Sequence, residues 1–245
     1  MTDTYKRINP RRRQTSRKIV FMSDSGNHPV IYDTAYTGPW TLTGYGLSAP
    51  ERVTNYVTVP GRDGELDLAY ALTGEPVYKN RRLEISLENS DGNKTDRDAL
   101  ISDLLNKLDG RYVRVVLPDD EMHYLTGSVE TDIRYSDVNH CALTLTVTAA
   151  PWREARYSKF YDLSASASEQ TVIIKNEGGR RVIPALTAYA DGSTPNITVT
   201  CGTWSAQPTA DAILPEALAM RYLDEKVLTY SGAGHLVIQW QEANL

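Results

Sequence analysis

From Cys141 to Thr148 the chain alternates without a break, with Leu143, Leu145 and Val147 set against Thr144, Thr146 and Thr148. A strand turns successive side chains to opposite faces, so this pattern requires a sheet buried on one side. The same period of two returns at Leu83, Ile85 and Leu87, which alternate with Glu84 and Ser86. Leu66, Leu68 and Tyr70, alternating with Asp67 and Ala69, predict a third strand of this kind. Breaks bracket these runs: Pro60-Gly61 and Asp63-Gly64 on one side, Gly74-Glu75-Pro76 between them. A chain built this way is expected to be mainly β.

The remaining segments divide the chain. Lys18–Met22, Val30–Tyr32 and Trp40–Leu42 read as short strands. One segment has the period of a helix: Leu100, Ile101, Leu104, Leu105 and Leu108 form a single apolar stripe, with Asp98, Ser102, Asn106 and Asp109 opposite. Thr95 and Asp98 resemble a capping box at its start, and Gly110 stops it. The stripe is expected to pack on the N-terminal sheet, making a β-sandwich-like domain with one amphipathic helix. Tyr112–Leu117, His123–Tyr135 and the Cys141 strand follow, and Pro151-Trp152 ends the pattern. The expected organisation is a basic arm over 1–18, a domain over 19–152 and an all-β second domain over 153–245. In the second domain Thr171–Lys175, Val182–Ala190, Asn196–Cys201, Leu218–Leu223, Val227–Tyr230 and Leu236–Trp240 are candidate strands of a sandwich. Gly232-Ala233-Gly234 is read as the turn between the last two.

Composition narrows the function. At 245 residues, 41% apolar and 23% charged, the chain is in the globular class. It has no run near the roughly 20 apolar residues that span a bilayer. No apolar segment follows the N-terminal basic region, so no secretory signal is expected and the chain should fold in the cytoplasm of its maker. Cys141 and Cys201 show no metal or redox spacing and are expected to be buried free thiols. Charge is uneven: residues 1–18 carry a net +6, the remainder a net −11. An acidic body argues against nucleic-acid binding, which needs cations for the phosphates. The run Arg11-Arg12-Arg13 lacks an aromatic stacking partner and fits a solvated tail or a subunit contact.

No constellation supports catalysis. Asp63, Glu65 and Asp67 occupy the first, third and fifth positions of a calcium loop, but Leu68 and Gly74 stand where such a loop needs Gly and Glu. His123, His140 and Cys141 fall short of a zinc set, and His140 and Cys141 face opposite ways on a strand. His28 and His235 lie near predicted turns without an acid partner in sequence. Asp119, Asp120 and Glu121 crowd one hairpin tip, whereas glycosidase carboxylates face each other across a cleft. No cofactor, metal or enzymatic activity is expected.

Val59-Pro60-Gly61-Arg62-Asp63-Gly64-Glu65-Leu66-Asp67-Leu68, followed by Tyr78-Lys79-Asn80-Arg81, resembles the signature of phage distal tail proteins, the hub at the tip of siphophage tails. In layout the likeness runs over roughly residues 19–245. It implies that Pro60, Gly61, Asp63, Gly64, Asp67, Tyr78, Asn80 and Arg81 are structural signature positions. It further implies a hexameric ring of N-terminal domains in the tail tip of the virion, assembled in the bacterial cytoplasm. A tail tube protein would stack on one face and a tail-associated baseplate protein on the other. DNA would pass through without specific binding. The C-terminal domain would be a galectin-like β-sandwich, projecting outward and carrying receptor-binding parts. The rival is a stand-alone carbohydrate-binding module. Against it, neither Trp204 nor Trp240 has the polar neighbours of a galectin-type sugar site, and Trp240 shares a strand face with Leu236 and Ile238.

Overall fold

The computed structural model describes residues 4–7, 18–25, 27–34, 40–89, 94–135, 141–190 and 195–245, with side chains for all of these except 4–7 and 94–95. Arg11-Arg12-Arg13 and His140 lie outside the described residues. The chain forms two compact units, Met1–Arg153 and Glu154–Leu245. Both are built from antiparallel strands.

The first unit holds β1 (Thr4–Arg7), β2 (Val20–Ser23), β3 (Val30–Asp33), β4 (Thr41–Leu47), β5 (Arg52–Val53), β6 (Tyr56–Thr58), β7 (Glu65–Asp67), α1 (Leu68–Thr73), β8 (Val77–Tyr78), β9 (Arg81–Asn89), α2 (Lys94–Leu108), β10 (Tyr112–Leu117), β11 (Asp120–Tyr135) and β12 (Cys141–Ala149). Eight of these strands pair in the order β1-β4-β9-β12-β11-β10-β2-β3. The two strongly alternating segments lie side by side at its centre. Leu83, Ile85 and Leu87 of β9 stand opposite Val147, Leu145 and Leu143 of β12, and all six are buried. Direct cross-strand apolar pairs are what fix such a register, because a one-residue slip would turn the whole set to water. One core cluster draws on β2 and β3 at one end of the sheet, β4 toward the other, and α2, so the sheet curls around a common interior. Ile101, Leu104 and Leu108 are buried in that cluster, and Leu105 packs against it half-buried; Leu100 is half-buried. The helix begins at Lys94, so Thr95 stands in the first turn and not ahead of it as a cap.

The second unit takes β13 (Arg153–Ala155) at its boundary and continues with β14 (Lys159–Ala165), β15 (Gln170–Lys175), β16 (Ala185–Tyr189), β17 (Asn196–Cys201), β18 (Trp204–Ala206), β19 (Glu225–Trp240) and β20 (Ala243–Asn244). The expected turn at Gly232-Ala233-Gly234 is absent. β19 runs straight through it for 16 residues, and this one strand serves two sheets. Its first half pairs with β15 and β17, its second with β14 and β16. Gly232 (φ 133°) and Gly234 (φ 123°) supply the bend, at dihedrals that side chains rarely adopt. The alternation stays in phase across it: Leu228 and Tyr230 before the bend and Leu236, Ile238 and Trp240 after it all face the second core.

Three other expectations are corrected. The strand foreseen over Leu66–Tyr70 stops at Asp67, whose carboxylate accepts the Ala69 amide and starts α1; Gly74 (φ 70°) ends that helix. Leu218–Leu223 is not a strand. Glu216–Leu218 is a single 3-10 turn and only Met220 pairs, with Val182, before Asp224 and the left-handed Leu223 (φ 63°) turn the chain. The strand expected from Val182 starts at Ala185, after Pro184, which has no amide to donate.

Candidate functional site

The signature segment lies in an insert between β4 and β9. From Gly46 to Asn80 no residue is buried. The insert is two short ladders in series: β5 with β8 at its base, β6 with β7 beyond, and α1 between β7 and β8. Its tip is the turn from Val59 to Gly64, closed by the Arg62 amide on the Val59 carbonyl at 3.2 Å. Gly61 (φ 82°) and Gly64 (φ 76°) take left-handed conformations there, which explains why both are glycine.

Two anchors hold this exposed element in shape. In the first, Asp67 Oδ1 accepts the amides of Asn55 (3.2 Å) and Ala69 (3.1 Å), and Oδ2 accepts from Arg52 at 3.0 Å. One carboxylate thus ties β5, the start of β6 and α1 together. Desolvation pushes its pKa up, but the amides of Asn55, Tyr70 and Ala69 and the Arg52 charge outweigh that and hold it below the ordinary 3.8. In the second, at the base, buried Arg81 donates through Nε to the Ser48 carbonyl at 3.0 Å and through a terminal nitrogen to the Pro151 carbonyl at 3.3 Å. Burial, with nearby Arg153, lowers its pKa from the ordinary guanidinium value to about 10, so it keeps its charge at neutral pH. Tyr78 meets Trp152 edge-on, ring centroids 5.6 Å apart. Lys79 pairs with Glu51 through both backbone and side chain.

The signature positions therefore divide by place. Pro60, Gly61, Asp63 and Gly64 form the exposed tip; Asp67, Tyr78 and Arg81 are anchors; Asn80 is exposed at the base. Among the side chains the insert leaves uncovered are the apolar Tyr56, Val57, Val59, Tyr70, Val77 and Leu72, the last 85% exposed. An open concavity of about 430 Å³ lies among Arg52, Tyr56, Arg62, Leu66 and Tyr70. Such an exposed apolar surface suits a protein partner.

The other sequence candidates are dispersed. His123 Nδ1 lies 2.7 Å from Asp120 Oδ1, and Arg153 donates to the other oxygen of Asp120 at 3.0 Å. Cys141 is buried and Cys201 half-buried, both free. Among the described residues no three His, Cys, Asp or Glu side chains gather as a metal site, and no helix is long and apolar enough to cross a membrane. Trp240 is buried, stacked on Tyr161 at 5.8 Å, and Trp204 packs half-buried against the same core. One grouping escaped the sequence reading: Asp162, Tyr189 and His235, from three strands. Its signal was hidden because β14 was not foreseen as a strand, so Asp162 had no assigned neighbour.

No family model matches the chain, and no curated protein matches it by sequence. Solved structures do. The Dit protein of phage SPP1, described as a paradigm of the hub adsorption apparatus in Gram-positive-infecting phages, aligns with a TM-score of 0.58 at 15% identity, covering 93% of this chain and 99% of that one. The baseplate of phage P2 in its activated conformation with Ca aligns at 0.43 and 9% identity, over 92% of this chain and 98% of that one. Its form with Sr gives 0.38 and 9% over the same shares. At these identities the match to the SPP1 protein is a likeness of fold.

Proposed function

We propose that this protein is a structural hub of a phage tail tip. It forms a ring that joins the tail tube to the baseplate and host-adhesion apparatus. The observation that carries this is the end-to-end correspondence with the SPP1 hub, which takes in both units in order. A module that merely shared one sandwich would match over one unit only. The insert supplies the means of assembly. It is held rigid by Asp67 and Arg81 yet buries nothing of its own, so its apolar side chains are available to a neighbouring copy. Six copies would close a head-to-tail interface around an axis. The net −11 of residues 19–245 suits a lumen past which DNA slides, because each phosphate neutralised by Lys or Arg would favour retention. On this reading the basic N-terminal arm lies away from the pore or is neutralised by a neighbour's acids. The protein is a component of the particle and works by geometry, without catalysis or cofactor.

Negative-stain imaging of the purified protein, with immunolabelling of intact particles, tests this. Six-fold rings and label at the tail tip are expected. Absence of label from the tail tip overturns the assignment.

A further inference from the structure

The tip of the insert sets Asp63 directly before Gly64, and the two groups through which such a pair reacts are both unengaged. The residues are exposed. Among the described residues the Asp63 carboxylate takes no hydrogen bond or ion pair, and the Gly64 amide donates to nothing. Gly64 sits at φ 76°, and a Cβ added to it would meet nothing within 4 Å. The same dipeptide recurs at Asp109-Gly110, between α2 and β10. Both residues are again exposed, Gly110 is again left-handed (φ 68°), and the space about it is again open. The hydrogen bonding differs. The Asp109 carboxylate accepts the Thr131 amide at 2.9 Å, and the Gly110 amide donates to the Val129 carbonyl at 2.9 Å. The other two Asp-Gly pairs, Asp91-Gly92 and Asp191-Gly192, lie outside the described residues.

An unheld aspartate before glycine is open to one backbone reaction. The amide nitrogen of the next residue attacks the side-chain Cγ. An N–Cγ bond forms, and one carboxylate oxygen leaves as water, taking the amide proton and a proton from solvent. The product is a five-membered succinimide. Water then adds to one of its two carbonyls. Opening at Cγ restores aspartate. Opening at the main-chain carbonyl breaks that carbon's bond to nitrogen and leaves the chain running through the side chain, as isoaspartate. Water lost is water regained, and no oxidant or cofactor takes part. Glycine favours the step, having no side chain to obstruct the ring and a backbone free to follow it. At Asp109 both reacting groups are held on β11, so that segment must first open locally. Asp63 needs no such opening. The isomer adds a carbon to the main chain between Thr58 and Glu65, which face each other in the β6–β7 ladder, so the turn at the tip must re-form around it.

We propose that Asp63 is a site of spontaneous modification, passing through the succinimide to isoaspartate while Asp109 is spared. On the hub reading, and resting on it, the tip belongs to the contact between copies, so isomerised chains join rings less well. The chemistry itself is tested without rings. Free monomer of the full chain, isolated by gel filtration, is incubated in heavy-oxygen water at neutral pH. Each passage through the succinimide leaves one heavy oxygen in the residue, and peptide mass spectrometry locates it. Uptake at Asp63 is expected to exceed that at Asp109 by about tenfold or more, the factor for breaking two hydrogen bonds, with isoaspartate accumulating in the Asp63 peptide. Asp63→Glu keeps the charge but would have to close a six-membered ring, so uptake in that peptide should be lost. The position is exposed, and the unfolding midpoint of the variant checks that the unit stays folded. In urea, where neither pair is held, the two rates should converge. The proposal is overturned if Asp63 in the folded chain is no faster than Asp109, if uptake in its peptide survives Asp63→Glu, or if its excess over Asp109 persists unchanged in urea.

Discussion

Replacing Gly232 with Ala should unfold the second unit at far lower denaturant than the parent. Two costs add. The first is conformational: at φ 133° a residue with a Cβ is strained by about 1–3 kcal/mol. The second is steric, because the new Cβ would overlap the Asn196 carbonyl oxygen and crowd the Ile197 Cα. Both belong to the main chain of β17, which is held against β19 by the register Asn196↔Ala233 and Ile197↔Gly232. β17 cannot retreat freely, since Ile197 and Val199 are fully buried. Relief by parting the strands loses ladder hydrogen bonds at about 1 kcal/mol each and exposes side chains worth about 1.5–3 kcal/mol apiece. The total is roughly 4 kcal/mol or more, in the range where single substitutions are exceptional. Gly202 is the control: its φ is 59° and a Cβ there meets nothing within 4 Å, so Gly202→Ala should cost only about 1–2 kcal/mol. Urea titration read by pulsed hydrogen exchange resolves each unit from its own peptides. The reasoning fails if Gly232→Ala shifts the second unit no further than Gly202→Ala, or if it displaces the first unit instead.

Leu104→Ala empties a fully buried position under α2 and should cost the first unit about 2–5 kcal/mol; a change below about 0.5 kcal/mol would mean the helix does not rest on the sheet as described. The Asp67 carboxyl is held below its ordinary 3.8, so the stabilisation it gives is complete above that value and is lost as pH falls through the lowered one. Protection factors at Asn55 and Ala69, taken against the intrinsic exchange rate at each pH, should therefore fall in acid, and Asp67→Asn should lower them at neutral pH; equal protection throughout would show that the insert is held by something else. Leu72→Asp alters a side chain that touches little, so stability should stay within about 0.5 kcal/mol of the parent while the ring population seen by negative stain falls. Undiminished rings would remove the α1 face from the contact between copies.

Some of this was legible in the residues alone because the determining interactions lie within a few positions of one another. Period-two alternation marked β9 and β12, since their facing rows are the core of the first unit. The leucine stripe marked α2, and glycine with proline marked the insert's tip. Elsewhere local patterns supported two answers. Leu66, Leu68 and Tyr70 alternate as a strand would, but an Asp67 carboxylate that caps the next turn converts the second half to helix. Gly232-Ala233-Gly234 has the composition of a turn, and only the close passage of β17 and the two sheets waiting on either side make it a bend in one strand. The in-phase spacing from Leu228 to Trp240 was the available clue.

What the sequence by itself determined is thus the class of fold, the single long amphipathic helix and the resemblance carried by residues 59–81, all readable from periodicity and turn chemistry. Tertiary structure alone decided which strands lie together, that Arg81 reaches the carbonyls of Ser48 and Pro151, and that Asp162, Tyr189 and His235 meet. Those partners stand 27 to 73 positions apart in the chain. Periodicity reports which way a side chain faces, but the neighbour it finds there is fixed by strand register, and register is set by how two distant rows of side chains fill the space between them.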